Sequence, residues 1–319
     1  MKANYIFRLF EEGIMARQKR TTHFCSLVIV LFLAFVSSFA QDFSKLKVQT
    51  VQVSGSVYLL YCAGGCIGVS AGEDGVMVID TSYAEMYAKL KGAIEEISNK
   101  PVRYVVSTHQ HFDHVNGNEQ FARSGATIVA HENVRRGMEV DWVHPGFPTV
   151  SAYPEMALPM MTYDKSLTFH FNGEDIHIFH LVDGHTNGDS IVHFQKENVV
   201  HMGDLFFNGG YPFIDVPHGG SIDGIIATLD QVLDMIDDET KVIPGHGLLS
   251  NRAELRKYRD MLAVIRDRVR KLIAEGKTLE EVIASKPTSD FDRVPQVMMP
   301  PDVFVRILFA DLSRKSREN

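Results

Sequence analysis

The chain has 319 residues, of which 45% are hydrophobic and 23% charged, values typical of a globular protein that buries a sizeable core. No short repeat or low-complexity tract interrupts the sequence, which excludes a solenoid or a disordered scaffold. Acidic residues number 40 and basic residues 32. This balance repels polyphosphates and argues against a nucleic-acid partner.

Residues 1–40 differ in composition from the rest of the chain. A basic stretch at residues 17–20 precedes an apolar run at residues 27–36, and small residues stand at positions 38 and 40. This layout predicts a signal peptide that is cut after Ala40, and hence a periplasmic or secreted protein. The alternative is a membrane anchor, but the apolar run is too short to favour it. No stable membrane insertion is therefore expected after cleavage.

The signal also defines the composition of the mature chain. A well-proportioned signal begins at Met15, so residues 1–14 are interpreted as an upstream extension from a misplaced start. Removing residues 1–40 takes away five of the 32 basic and two of the 40 acidic residues. The mature chain then has 27 basic and 38 acidic residues, a net charge of −11.

Two cysteines remain in the mature chain, Cys62 and Cys66, on either side of Ala-Gly-Gly. In an oxidising compartment they form either a disulfide across a tight turn or two small buried thiols, and the sequence favours neither. A metal-binding role is disfavoured, because a better set of ligands follows.

Strands and helices alternate through the mature chain. Strands are predicted at residues 48–61, 66–71, 75–79, 102–107, 126–130, 167–171, 176–181, 190–194, 199–202 and 241–243. Helices are predicted at residues 85–98, 118–123, 222–236, 252–274, 279–284 and 301–312. Because the composition does not change along this order, we predict one α/β domain at residues 41–250. A helical C-terminal extension, residues 251–319, is predicted to pack on the same domain.

The segment 137–163 breaks this pattern. It lacks periodicity, contains several prolines and methionines, and includes Trp142, the only tryptophan of the chain. Its length favours a lid or a binding loop over a linker. Methionines adapt to the shape of a ligand, so those of this segment suit an apolar substrate.

Four side chains that can bind a metal fall within six residues, directly after the predicted strand 102–107. They are His109, His111, Asp113 and His114. In an extended chain His109 and His111 point the same way and can face one ion. Asp113 and His114 lie where the chain turns, and can face a second ion. Neutral imidazole and carboxylate are ligands that zinc prefers.

Three more candidates lie in glycine-flanked turns that follow apolar strands. His185 lies in Asp-Gly-His-Thr, Asp204 in Gly-Asp, and His246 in Pro-Gly-His-Gly. Glycine permits tight turns and a close approach of the backbone, which is how separate turns can deliver ligands to one pocket.

Other histidines show no ligand pattern and are interpreted as packing or surface residues. They are His131, His170, His177, His180, His193, His201 and His218. His218 is the strongest exception, because its Pro-His-Gly-Gly loop follows Asp204. Four aromatic residues after Asp204 either line a pocket or pack in the core: Phe206, Phe207, Tyr211 and Phe213.

In order and in residue type these motifs resemble those of the metallo-β-lactamase superfamily, over roughly Val48 to Leu249. Asp80, which ends Val-Met-Val-Ile-Asp, matches a structural acid of that family. Five ordered blocks are far more specific than a lone His-x-His. The resemblance implies an α/β fold, a four-layer αβ/βα sandwich with the metals at one edge of the two sheets, followed here by the short helical addition.

The resemblance also implies a ligand set for two Zn²⁺ ions, with iron or manganese as alternative metals. One ion is expected on His109, His111 and His185, and a second on Asp113, His114 and His246, while Asp204 bridges both. In having an aspartate at the bridging position, the chain is similar to glyoxalase II and lactonase-like members. True β-lactamases of this fold commonly have Cys or Ser at that position. Diiron flavoproteins of this fold usually have Glu at the second histidine of the block.

The function implied is that of an exported binuclear zinc hydrolase acting on a small molecule. It cleaves an ester, lactone, thioester or amide bond by attack of a metal-bridging hydroxide, with Asp113 as the catalytic proton carrier. A β-lactamase is the main alternative. An iron-dependent oxygenase, a non-catalytic metal-binding protein and a nuclease of this fold are the others. The negative charge and the export signal disfavour the nuclease.

Export gives the first testable prediction. In its native host the protein is expected in the periplasmic or secreted fraction with Gln41 as its first residue, because the small residues at positions 38 and 40 suit signal cleavage. N-terminal sequencing of the purified protein measures this. A cytosolic protein whose first residue lies far from Gln41 would contradict the prediction.

Overall fold

A computed structural model describes residues 42–318, except residues 145–147 and 293–298. The predicted signal peptide and its cleavage site lie outside the described residues. The chain divides after Leu46 into two units. In the first, the described residues form a 3-10 turn, Phe43–Lys45, capped by the Asp42 side chain. The second unit contains both sheets and all the residues of interest below.

The first sheet has seven strands that follow one another in sequence order. They are β1 (Gln49–Ser54), β2 (Val57–Cys62), β3 (Gly65–Gly72), β4 (Gly75–Ile79), β5 (Val102–Ser107), β6 (Thr127–His131) and β7 (Met161–Tyr163). Neighbours from β1 to β4 are antiparallel, and those from β4 to β7 are parallel.

The prediction of one strand over residues 48–61 is wrong, because β1 and β2 form a hairpin. The chain turns at Gly55, whose φ of +44° lies in the left-handed region, and Ser54 pairs with Val57. Glycine adopts this conformation without the steric cost that a Cβ atom brings. Polar and apolar residues alternate in β1, and β2 is a continuous apolar run. Both patterns are typical of strands, so the pattern alone does not reveal the turn.

The second sheet has six strands in the order β13-β12-β11-β10-β9-β8. They are β8 (Ser166–Phe171), β9 (Glu174–Phe179), β10 (Ile191–Phe194), β11 (Val199–His201), β12 (Lys241–Ile243) and β13 (Ser250–Asn251). Only β11 and β12 are parallel among these pairs, as expected for two strands joined through a helix.

Helices cover the outer faces of the two sheets, which gives the four-layer αβ/βα sandwich. The described α-helices are α1 (Tyr87–Ile97), α2 (Phe112–Val115), α3 (Asn118–Arg123), α4 (Glu132–Met138), α5 (Ile222–Met235), α6 (Arg252–Ala274), α7 (Leu279–Ala284) and α8 (Pro301–Glu318). No helix in the described part of the chain is long and apolar enough to cross a bilayer.

Two hydrophobic cores hold these layers together. The core between the sheets joins residues such as Leu59 and Ile79 of the first sheet to Ile178 and Val192 of the second. The other core lies between the second sheet and its helices. There α5 and α6 pack with α8, which contributes the fully buried Phe304 and Leu308.

Both described cysteines are free thiols. Cys62 Sγ lies 3.4 Å from Ser82 Oγ, and Cys66 Sγ donates to the Gly247 carbonyl at 3.2 Å. Burial raises the pKa of the Cys66 thiol to about 12, and it also raises the pKa of Cys62. Both side chains are therefore protonated and poorly nucleophilic at neutral pH.

The outer core yields a stability prediction. Leu262 on α6 is fully buried, whereas Val264 on the same helix is 40% exposed. Leu262→Ala is expected to lower the free energy of unfolding by about 2–5 kcal/mol, because it removes buried methyl groups and leaves a cavity. Chemical denaturation measures this, with Val264→Ala as the control. Equal losses in the two variants would contradict the packing described here.

Candidate metal centre

The seven predicted ligands converge at one edge of the two sheets, in two groups. The first contains His109, His111, His185 and Asp204, and the second contains Asp113, His114 and His246. Within each group the potential ligand atoms lie within 4.8 Å of one another. All seven residues follow strand ends: those numbered 109–114 follow β5, His185 follows β9, Asp204 follows β11 and His246 follows β12.

In the first group the inward-facing atoms of three imidazoles and one carboxylate crowd together. His111 Nδ1 lies 2.8 Å from His185 Nε2. Oδ2 of Asp204 lies 3.5 Å from His185 Nε2 and 3.8 Å from His109 Nε2. All four side chains are buried.

The second group lies on the other side of Asp204. His114 Nε2 and His246 Nε2 are 3.4 Å apart, and Asp113 Oδ2 is 3.6 Å from the former and 3.5 Å from the latter. Asp204 Oδ1 lies 3.1 Å from His114 Nε2, and Asp204 Oδ2 lies 3.3 Å from His246 Nε2. The Asp204 carboxylate therefore faces both groups.

Hydrogen bonds on the outer side of the rings fix which nitrogen of each imidazole faces inward. His111 Nε2 donates to Asp215 Oδ2 at 2.8 Å, and His185 Nδ1 donates to the Phe213 carbonyl at 2.8 Å. The N–H group is therefore on the outside, and the bare nitrogen lone pair points to the centre.

Asp80 fixes the orientation of two further imidazoles, directly for His114 and through Thr108 for His109. Its Oδ2 accepts from His114 Nδ1 at 2.8 Å and from Thr108 Oγ1 at 2.7 Å. Because the Thr108 hydroxyl proton points to Asp80, its oxygen is free to accept from His109 Nδ1, 3.1 Å away. The family acid recognised in the sequence thus orients two of the candidate ligands.

This arrangement fits divalent cations. When both rings are neutral, each uses its single N–H on the outer side, so the lone pairs of His111 Nδ1 and His185 Nε2 face each other 2.8 Å apart and repel. His109 Nε2 and Asp204 Oδ1 are buried without a hydrogen-bond partner. A cation satisfies all of these atoms at once, and imidazole with carboxylate is the donor set that zinc prefers.

Electrostatics separates the imidazoles into two kinds. Burial lowers the pKa of His185 to about 3 and that of His109 well below its ordinary value, so both rings are neutral, as metal ligands must be. Burial acts the same way on His114, but the carboxylates of Asp204, Asp113 and Asp80 outweigh it and raise its pKa. A proton and a cation thus compete for the His114 lone pair.

Two glycines explain why the turns can approach so closely. A Cβ atom on Gly245 would lie 2.1 Å from Asp204 Oδ1. Gly203 has a φ of +50°, and a Cβ there would lie 2.9 Å from the Thr108 side chain. The Gly-Asp and Pro-Gly-His-Gly motifs therefore need glycine to bring Asp204 and His246 to the same centre.

A cavity of about 160 Å³ opens onto both groups. Its described lining combines candidate ligands with a largely aromatic wall: His111, Phe112, Asp113, Trp142, Asp204, Phe207, Tyr211, Phe213, His246 and Met299. Three of the four aromatic residues after Asp204 thus line the cavity, while Phe206 packs in the outer core.

Three residues near the centre were not predicted from the sequence. Asp215 and His144 were not singled out, and Trp142 was not expected to contact a ligand. Asp215 is fully buried and bonds to His111, Trp142 and His218. Those hydrogen bonds outweigh burial and hold the pKa of Asp215 well below its usual range. Trp142 stacks against His144 and His218, so the segment 137–163 does contribute to the cavity. The one available signal was His218 in its glycine-rich loop.

The remaining histidines play structural parts, as the sequence indicated. His201 Nε2 donates to the Cys66 carbonyl at 3.0 Å. His131 and His180 stack on one another and bond to backbone carbonyls. His177 and His193 form a cross-strand pair between β9 and β10.

The chain belongs to the metallo-β-lactamase superfamily, whose family model matches residues 55–246. It is 23% identical to the human acyl-coenzyme A thioesterase MBLAC2 over 199 residues, which cover 55% of this chain and 70% of the relative. It is 26% identical to a hydroxyacylglutathione hydrolase of Polaromonas sp. over 171 residues, which cover 53% of this chain and 57% of the relative. The chain is thus a hydrolase of a metal-dependent superfamily.

Solved structures show the same fold at low identity. A double mutant of the sec-alkyl sulfatase PisA1 aligns with a TM-score of 0.62 and 16% identity, over 84% of this chain and 50% of that one. A metallo-β-lactamase from Pontibacter korlensis aligns with a TM-score of 0.54 and 18% identity, over 68% of this chain and 99% of that one.

Metal content is the direct test of the centre. Protein reconstituted with zinc is expected to hold two ions per chain and to unfold at a higher temperature than metal-free protein, because ions that bind only the folded state stabilise it. Asp204→Ala is expected to lose both ions, since its carboxylate faces both groups. Elemental analysis and thermal melting measure these effects, with the exposed His170→Ala as control. Full metal content in Asp204→Ala would refute the bridging position.

Proposed function

We propose that this protein is an exported binuclear zinc hydrolase that cleaves a thioester, ester, lactone or amide bond in a small molecule with an apolar acyl group. The observation that carries the proposal is that the Asp204 carboxylate faces both ligand groups and lines an aromatic cavity. Two ions on these ligands would supply an activated water molecule and polarise the carbonyl under attack.

The cavity supports a substrate with an apolar part next to the scissile bond. Its wall is formed by aromatic rings such as Phe112, Trp142 and Phe213, with Met299 beside them. Apolar walls with a few convergent polar groups are typical of small-molecule sites. A largely apolar wall also lowers the polarity around a bound substrate, which would strengthen the electrostatic interactions in the site.

Asp113 is the residue we propose as the proton carrier. Its side chain is 17% exposed, against 5% or less for Asp204 and His114, and it lines the cavity. Its Oδ2 faces the second group, so the carboxylate touches both the ligand cluster and the space a substrate would occupy. It is placed to take a proton from the attacking water and deliver it to the leaving group.

The comparisons favour thioesters within this class of bond. Two of the relatives are a thioesterase and a hydroxyacylglutathione hydrolase. The aspartate at position 204 also makes the chain resemble glyoxalase II. A β-lactamase is the alternative, supported by the fold likeness to solved β-lactamases. The residue at position 204 argues against it, because dedicated β-lactamases of this fold commonly have Cys or Ser there.

The proposal is tested with zinc-loaded protein and a panel of acyl thioesters, aryl esters, lactones and a β-lactam. Turnover of thioesters or esters that rises as the acyl chain gains a few methylene groups is expected, because the cavity wall is aromatic. Preference for the β-lactam would favour the alternative. Binding of one iron ion per chain instead of two zinc ions would favour an oxygenase.

The role of Asp113 is tested by Asp113→Asn, which keeps an oxygen but removes the titrating carboxylate. Turnover is expected to fall by about 10²–10⁴-fold for an alkyl ester, whose leaving group needs a proton. The loss should be much smaller for a nitrophenyl ester, whose leaving group does not.

Steady-state kinetics measures both losses, with metal content determined in parallel. Asp267→Asn is the matched control, because its carboxylate is 61% exposed on α6 and lies outside both groups, and its activity should match that of the parent. Full activity of metal-loaded Asp113→Asn on the alkyl ester would show that the assignment is wrong.

A further inference from the structure

The Asp215 carboxylate joins three side chains from different parts of the chain. Its Oδ2 accepts from His111 Nε2 and from Trp142 Nε1, both at 2.8 Å. Its Oδ1 accepts from His218 Nδ1 at 2.7 Å. Asp215 is fully buried, so these three donors take the place of water around its charge.

The loop that carries Asp215 also supports a second imidazole of the first group. The Phe213 carbonyl accepts from His185 Nδ1 at 2.8 Å, and the Asp215 amide donates to the His185 carbonyl at 2.9 Å. The Ser221 amide donates to the Gly184 carbonyl at 2.7 Å. The loop is therefore fastened along its length to the turn that presents His185.

Trp142 brings the cavity wall into the same network. Its backbone pairs with Val150 in an isolated bridge, and its ring lies edge-on to His111 with centroids 5.6 Å apart. The indole N–H and His111 Nε2 donate to the same atom, Oδ2 of Asp215. A displacement of Asp215 would therefore disturb both hydrogen bonds. Trp142 is 8% exposed and lines the cavity.

We infer that Asp215 is a positioning residue. It couples the position of the Trp142 side chain in the cavity wall to the orientation of His111 toward the first metal ion. If His111 is held as a metal ligand, its Nε2–H group would keep Asp215 in the position where Asp215 also binds the indole. Because such coupling is reciprocal, the hydrogen bond from Trp142 to Asp215 must in turn favour metal binding. The inference rests on the proposed metal centre, but not on which bond is hydrolysed.

The only tryptophan of the chain provides a direct readout. Metal-free protein is titrated with Zn²⁺ alone, while indole emission, acrylamide quenching and zinc uptake are recorded. Quenching is expected to fall as zinc is taken up, because a His111 ring held by metal binding would keep Asp215, and through it the Trp142 indole, in its buried position. Zinc uptake without a change in emission or quenching would overturn the coupling and leave the metal centre standing. Absence of zinc uptake would overturn both.

Two variants at Asp215 separate positioning from a merely structural role. Asp215→Ala is expected to weaken zinc binding about 10–100-fold, the usual effect of losing an outer partner of a ligand, and to increase quenching of zinc-loaded protein. Asp215→Asn should restore both values largely, because the amide oxygen can accept from His111 and Trp142, while the amide nitrogen can donate to His218 Nδ1 when that ring carries its proton on Nε2. Asp175→Ala, which removes a carboxylate bonded to the exposed His170, is the control. Parent-like zinc affinity and quenching in folded Asp215→Ala would contradict the inference.

A third variant tests the reciprocal direction even if Asp215→Ala fails to fold. Trp142→Phe keeps an aromatic ring in the wall but removes the indole N–H. Zinc affinity, measured by competition with a chromophoric chelator, is expected to fall about fivefold or more, the lower end of typical coupling between sites. Unchanged zinc affinity would show that Trp142 and the metal centre are independent.

Discussion

The centre of this molecule is a set of bare imidazole nitrogens and carboxylate oxygens that face one another in a buried space. Such atoms repel, so the fold must hold them together from outside until a cation satisfies them. Four of the five imidazoles have a partner for the outer nitrogen: Thr108 for His109, Asp215 for His111, Asp80 for His114 and Phe213 for His185. Much of the surrounding structure is understood as support for these outer bonds.

The two sheets supply that support because their strand ends meet at one edge. Turns that follow β4 and β5 of the first sheet place Asp80 opposite His114, and turns that follow β11 and β12 of the second place Asp204 beside Gly245. The core between the sheets holds the two edges in register. Rigid strands position the ligands, while the longer loops form the cavity wall, a division that is common in enzymes.

Much of this could be predicted from the sequence, because the signals are local. Ligands in the His-x-His-x-Asp-His block lie within six residues, and the other turns carry their own glycines. Asp215 could not be found in the same way, because two of its partners lie 104 and 73 residues away and no spacing marks them. The turn at Gly55 was missed for a different reason, since the residues on both sides of it have patterns typical of strands, alternating in β1 and continuously apolar in β2.

The last helix has a consequence for how the molecule assembles. The Asp311 carboxylate on α8 is fully buried and accepts from the Ile222 amide at the first turn of α5, directly after the loop that carries Asp215. Contacts between residues so distant in sequence form late, because the chain between them must first be ordered. All the strands of both sheets precede α8 in the sequence. The second helical layer, and the loop it anchors, therefore reach their final form only after a segment far along the chain has packed against them.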